Sequence, residues 1–118
     1  WNTMQETPNL AMELNTEMYN GYAAMALPGS PLYLECKKNN YQLPDSFEAY
    51  SFHSYECLPM RTEQLTSAEI LQFRDYAWKT YMTNPRYLKY VQEKFGQEAY
   101  NNIKEMSKIT LKRKIYDN

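Results

Sequence analysis

Apolar residues recur at helical spacing through the second half of the chain. Ile70, Phe73, Ala77 and Tyr81 fall three and four apart, which places them on one helix face. Thr66-Ser67-Ala68-Glu69 in front of them matches a capping box, with Thr66 as the cap and Glu69 reaching back. Asn84-Pro85 opens a second helix whose apolar side is Tyr87, Leu88, Val91 and Phe95, and Gly96 supplies its C-terminal stop. A third helix begins near Gln97 and shows Ala99, Ile103 and Met106. The basic run Lys112-Arg113-Lys114 is expected near its end, where the macrodipole favours positive charge.

The first third reads differently. Thr7 to Glu17 predicts a helix, with Thr7 as N-cap, Pro8 at the first helical position and an apolar stripe of Leu10, Ala11, Leu14 and Met18. Tyr22 to Leu27 is nearly all apolar, so Asn20 to Leu27 predicts a short strand buried on both faces, as in a parallel sheet. The alanines weaken that expectation. Pro28-Gly29-Ser30-Pro31 then forces a turn. Pro31 to Lys38 predicts a short helix capped by Ser30, with Leu32 and Cys36 on one face and Asn39-Asn40 as its end. Tyr41 to Leu65 is irregular and long for a plain connector, which suggests a functional or surface-wrapping loop.

Hydrophobic residues make up 43% of the 118 and charged residues 23%, which suits one small folded domain, or the end of a domain with an extension, rather than a disordered chain. The 12 tyrosines suggest broad amphipathic faces, since the ring packs while the hydroxyl seeks a partner. A net charge of −1 gives no overall drive toward nucleic acid or an anionic membrane. The longest uncharged window, Met18 to Leu34, is broken by glycines and prolines, so no membrane span is expected. No secretory signal is visible, and the start at Trp1 reads as a cut through a longer reading frame. Two cysteines, Cys36 and Cys57, are expected to be free thiols in a reducing compartment, which points to the cytoplasm.

Candidate chemistry is sparse. Cys36, Cys57 and His53, the sole histidine, are too few and too widely spaced for a zinc site. A Cys57–His53 nucleophilic pair requires a spatial contact that spacing does not reveal. Asp45, Glu48 and Glu56 offer carboxylates for acid–base work, but a solvated loop accounts for them more simply. The same holds for the basic run as a nucleic-acid contact, against helix-end solvation. Tyr76, Trp78, Tyr81, Tyr87 and Tyr90 are capable of stacking on a flat ligand, and their helical positions favour packing between helices. The Pro-Gly turn is the strongest functional lead, because the C-terminal ends of barrel strands face active sites.

Three stretches carry a family resemblance. Tyr22-Ala23-Ala24-Met25-Ala26-Leu27-Pro28-Gly29-Ser30-Pro31-Leu32-Tyr33 resembles the last core strand and Pro-Gly turn of the radical S-adenosylmethionine (radical SAM) barrel. Tyr50-Ser51-Phe52-His53-Ser54-Tyr55-Glu56-Cys57-Leu58-Pro59 is the second stretch. The third is Leu65-Thr66-Ser67-Ala68-Glu69-Ile70-Leu71-Gln72-Phe73-Arg74-Asp75, continuing into Tyr81 to Tyr87 and Lys94-Phe95-Gly96. Together they resemble the C-terminal region of radical SAM proteins that carry an N-terminal cobalamin-binding domain. The resemblance implies a parent enzyme with a [4Fe-4S] cluster on Cys-x3-Cys-x2-Cys, S-adenosylmethionine and cobalamin. This chain has neither that motif nor the cobalamin domain. By analogy Met25, Ala26 and Leu27 lie near the adenine of the nucleoside, in contact through backbone or packing.

The resulting expectation is a mainly α chain with one or few short strands: residues 1–33 the last helix and strand of the barrel, 34–65 an irregular loop, 66–118 a helical C-terminal extension. The function expected is that of a fragment of an oxidoreductase or methyltransferase-like enzyme, inactive alone and without cofactors of its own. Its partners would be the remainder of the barrel and the cobalamin domain, with self-association through the apolar run as a further outcome. The alternative is a stand-alone helical protein-interaction module. A small hydrolase using Cys57 and His53 is a third reading.

Overall fold

The computed structural model describes residues 1–117. Among them are five α-helices, α1 (Asn2–Leu14), α2 (Pro31–Lys38), α3 (Ser67–Met82), α4 (Pro85–Phe95) and α5 (Gln97–Lys108), and a 3-10 turn at Phe47–Tyr50. The chain is thus mainly α, and no described residue lies in a strand. It divides into two compact units: Trp1–Gly21 with Asp75–Thr110, and Tyr22–Arg74 with the chain from Leu111 onward.

The first unit is organised around the end of α1. The predicted start at Thr7–Pro8 is corrected: α1 begins at Asn2 and carries Pro8 in its interior. Proline there has no N–H to donate to the preceding turn, a loss of the kind that weakens helices. The ring of Pro8 is fully buried, and that burial offsets part of the loss. The helix also ends earlier than Glu17. Asn15 adopts a left-handed conformation (φ 53°) and its amide donates to the carbonyl of Ala11, a stop that asparagine tolerates.

Other carbonyls at and beyond this end are met by side chains from later in the chain. Arg86 Nη1 donates to the carbonyls of Met12 and Glu13, both at 3.2 Å. Tyr81 Oη donates to the Thr16 carbonyl at 2.6 Å and Tyr87 Oη to the Glu17 carbonyl at 2.7 Å. A cation at a helix C-terminus is also favoured by the helix dipole. Burial raises the Tyr87 phenol above its ordinary value, which keeps it a donor. Lys94 Nζ and Tyr90 Oη then hold the Glu17 carboxylate, at 2.7 and 3.0 Å.

The core of this unit is Tyr81, Met82, Tyr87 and Val91, packed against Ala11, Met12, Tyr19, Trp78, Tyr90, Ala99, Ile103 and Met106. Tyr81 lies between Tyr19 and Tyr87, with ring centroids 5.3 and 4.8 Å away. The expected stripe on α1 is therefore corrected in part. Ala11 is on the packed side, with Pro8 and Met12, whereas Leu10, Leu14 and Met18 are exposed. With this face inward the α1 carbonyls of Met12 and Glu13 meet Arg86, and those of Thr16 and Glu17 just beyond the helix meet Tyr81 and Tyr87. Asn84 caps α4 through the Arg86 amide at 3.0 Å, and Gly96 joins α4 to α5 at φ 94°.

In the second unit, Ser30 caps α2 as expected. Its hydroxyl accepts from the Tyr33 amide at 3.2 Å and donates to the Leu27 carbonyl at 2.6 Å, while Gly29 takes the positive φ the turn requires. Asn40 (φ 57°) closes the helix, with the amides of Tyr41 and Asn40 donating to the carbonyls of Cys36 and Lys37. The strand expected over Asn20 to Leu27 is corrected: the segment has no regular structure. One carbonyl in it, that of Ala24, accepts from the Met60 amide at 2.8 Å, which is a single tie and not a ladder. Alanine at three of the six positions from Tyr22 to Leu27 offers little side chain for a strand to pack. The capping box at α3 forms as predicted: Glu69 Oε2 accepts from the Thr66 amide at 2.8 Å and Thr66 Oγ1 from the Glu69 amide at 3.2 Å.

The basic run is also relocated. α5 stops at Lys108, and Ile109 leaves it with extended backbone. Lys112-Arg113-Lys114 therefore sits on an irregular strap rather than a helix end. Along the strap Leu111, Arg113 and Ile115 are turned inward while Thr110, Lys112 and Lys114 are exposed, a two-residue alternation.

Three outcomes follow. Tyr87→Phe leaves the Glu17 carbonyl without its donor and should lower stability by about 1–2 kcal/mol in urea unfolding. Gly96→Ala, at a φ that a Cβ strains, should cost about 1–3 kcal/mol by the same measurement. Hydrogen bonding from Lys94 holds the Glu17 carboxyl at about 2, against an ordinary 4.5. The stabilisation from this depressed pKa is present above 4.5 and is lost as pH falls toward 2. Glu17→Gln should flatten the stability curve in that window, and an unchanged curve would show that solvent screens the pair completely.

Candidate functional site

The long loop and the C-terminal strap line a cavity of about 290 Å³ in the second unit that is open to solvent. Its lining is Gln42, Pro44, Asp45, Ser46, Ala49, Glu56, Cys57, Leu58, Lys114 and Ile115. The loop is shaped by its own hydrogen bonds. Ser54 Oγ donates to the Glu48 carbonyl at 2.6 Å, and the Leu58 amide donates to the Ala49 carbonyl at 2.9 Å, which brings the two ends of the 3-10 turn region together.

The strap is fastened at three points. Arg113 is fully buried, and its Nη1 donates to the Ser54 carbonyl at 3.0 Å. The Lys114 amide donates to the Tyr55 carbonyl at 2.9 Å. Lys114 Nζ pairs with Glu56 Oε2 at 2.9 Å. That hydrogen bond to Glu56, with the charges of Glu56 and Asp45 also acting, raises Lys114 above the ordinary lysine value and keeps it an ammonium ion. The backbone oxygen of Ser54 offsets part of the cost of burying this guanidinium, and removing that acceptor would leave the buried charge less well satisfied.

Cys57 forms part of the wall and is 1% exposed. Neither it nor Cys36 is in a disulfide. The structure places Cys57 beside Glu56 and Lys114 on the cavity, and His53, exposed on its own turn, does not line it. Asp45 and Glu56 share the wall, whereas Glu48 is exposed and outside it. No group of three or more metal-ligating side chains occurs among the described residues.

The residues near the Pro-Gly turn lie elsewhere in the unit. Met25 is half-buried, Ala26 is 3% exposed and Leu27 is 53% exposed. None of the three lines the cavity. Of the aromatic group on the helices, Tyr81 and Tyr87 are core residues, Trp78 and Tyr90 pack against them, and Tyr76 is exposed. The packing expectation thus holds for four of the five.

Sequence reasoning missed Lys114 and Ile115 as cavity walls. The signal was the alternation of Ile109, Leu111 and Ile115 with polar neighbours, a period of two that argues against a helix continuing through the basic run. No described helix is long and apolar enough to cross a membrane. The chain matches no family model, no curated protein and no solved structure.

Because both thiols are buried, a bulky aromatic disulfide reagent should leave Cys36 and Cys57 unmodified in the folded chain and titrate both in denaturant. Rapid labelling of Cys57 under native conditions would show that the strap lifts away.

Proposed function

We propose that the chain is the C-terminal part of a radical SAM enzyme of the kind that carries a cobalamin-binding domain. In this reading residues 1–33 end the barrel and residues 66–118 are its helical extension. The observation that carries the reading is the ordered series of resembling stretches from Tyr22 to Gly96. The backbone of the first stretch supports it. The amides of Ala23, Ala24, Met25, Ala26 and Leu27 donate no hydrogen bond among the described residues. Backbone donors without partners inside the chain are able to pair with a neighbouring segment outside it.

The residues present do not fit an iron–sulfur cluster. Cluster ligation takes closely grouped cysteine thiolates, whereas Cys36 is on α2 and Cys57 lies in the long loop. The cluster, and cobalamin, would therefore belong wholly to the rest of the parent. Open backbone at Met25 to Leu27 fits contact with the adenine edge of S-adenosylmethionine, with the buried Ala26 side chain serving only to pack. The parent reaction would be oxidoreduction or methyl transfer.

The rival reading is a helical interaction module. The exposed Leu10 and Leu14, one turn apart on α1, favour it, since adjacent apolar residues in water mark contact surfaces.

The gene upstream of the Trp1 codon discriminates between them. An open frame encoding Cys-x3-Cys-x2-Cys supports the radical SAM reading. A start codon just upstream, with no such motif, overturns it in favour of the interaction module. In the isolated chain, hydrogen exchange at Ala23 to Leu27 should be fast. Slow exchange there in a dilute monomer would contradict an unsatisfied sheet edge.

A further inference from the structure

We propose that the cavity between the long loop and the C-terminal strap binds a small organic cation, a primary ammonium group on a short apolar body. The size sets the scale: about 290 Å³ corresponds to the liquid volume of about ten waters. That is room for a short aliphatic or single-ring amine.

The charges set the sign. Two carboxylates, Asp45 and Glu56, and one ammonium, Lys114, line the space. Lys114 is committed to Glu56 at 2.9 Å. The Asp45 carboxylate acts on Lys114 through space and makes no hydrogen bond among the described residues. The lining therefore carries a net charge of −1, with Lys114 shared between two carboxylates. An incoming carboxylate adds to that charge, whereas an ammonium group offsets it, with solvent weakening both effects at the exposed Asp45.

The neutral groups set the orientation. Ser46 and Gln42 stand with Asp45 on the loop side of the lining and offer further oxygen acceptors to a three-donor ammonium head. Pro44, Leu58 and Ile115 supply the apolar surface for its body. Since Lys114 and Ile115 belong to the strap, a bound amine contacts the strap and the loop at once. Occupancy should therefore also hold the strap down.

Titrating the 15N-labelled 118-residue chain with pentylamine, and separately with pentanoate, tests the proposal. Pentylamine should shift the amides of Asp45, Ser46, Leu58 and Lys114, and pentanoate should not. Asp45→Asn, at an exposed side chain whose loss leaves the fold intact, should weaken pentylamine binding about tenfold or more. Lys112→Ala, outside the lining, should leave it unchanged. The proposal is overturned if millimolar pentylamine moves none of these amides, if pentanoate moves them equally, or if Asp45→Asn binds as the parent chain does. Shifts produced by magnesium chloride in place of the amine would assign the site to a metal cation and overturn it as well.

Discussion

A helix ends with carbonyl groups that its own backbone cannot satisfy, and the first unit is arranged around one such end. The carbonyls of α1 and of the residues just beyond it are met by Arg86, Tyr81 and Tyr87, which come from α3 and α4. Each of these side chains has a second task. Tyr81 and Tyr87 are core residues whose rings pack tilted against each other while their hydroxyls reach out of the apolar cluster. Arg86 stands in the first turn of α4, where its own amide is used to cap the helix. This explains why tyrosine rather than phenylalanine occupies the core: the hydroxyl ties chain segments about seventy residues apart in sequence. Six of the 12 tyrosines lie in this unit, and two of them, Tyr81 and Tyr87, combine a buried ring with a hydroxyl that ties the chain.

The second unit uses the same chemistry with a charged donor. Arg113 is fully buried and spends part of its guanidinium on the carbonyl of Ser54. Two strap contacts, the Lys114 amide on Tyr55 and the ammonium on Glu56, lie next to it in the chain. A strap held by an arginine inside and a lysine outside is directional. The alternation of buried and exposed side chains fixes which charge goes where, because a one-residue slip would place Lys112 or Lys114 inside and Arg113 in water. Lysine has no planar fork to share among backbone oxygens, so the slipped state leaves a buried ammonium poorly satisfied.

Signals carried by local hydrogen bonding were legible in the sequence. The capping box at Thr66, the Asn84-Pro85 start, the Gly96 junction and the Ser30-Pro31 start all appear where the residue types require them. Each depends on atoms within four residues, so distant packing has little power to override it. The failures share the opposite property. Whether Pro8 opens a helix or sits inside one depends on the burial of its ring, and which face of α1 turns inward depends on donors in α3 and α4. The cavity was less legible still. Asp45 and Glu56 were visible as loop carboxylates, but their wall is completed by Lys114, which is 58 residues from Glu56 in the chain. The loop length alone hinted at a functional segment.

The run from Tyr22 to Leu27 shows where periodicity reaches its limit. A short apolar stretch reads as a buried strand because its side chains avoid water, but a strand also needs a neighbour for its backbone. Here Ala26 is buried and Leu27 is exposed, so the run is only half covered. Its amides are open, with one carbonyl tied to Met60. Amides that stay open in the folded chain either face water or await a partner that pairs with them. Alanine-rich backbone has little side-chain bulk to shield those groups, which makes close approach by another strand or a flat ligand sterically easy. The alanines that weaken the strand thus also leave the backbone of this segment little shielded by side chains.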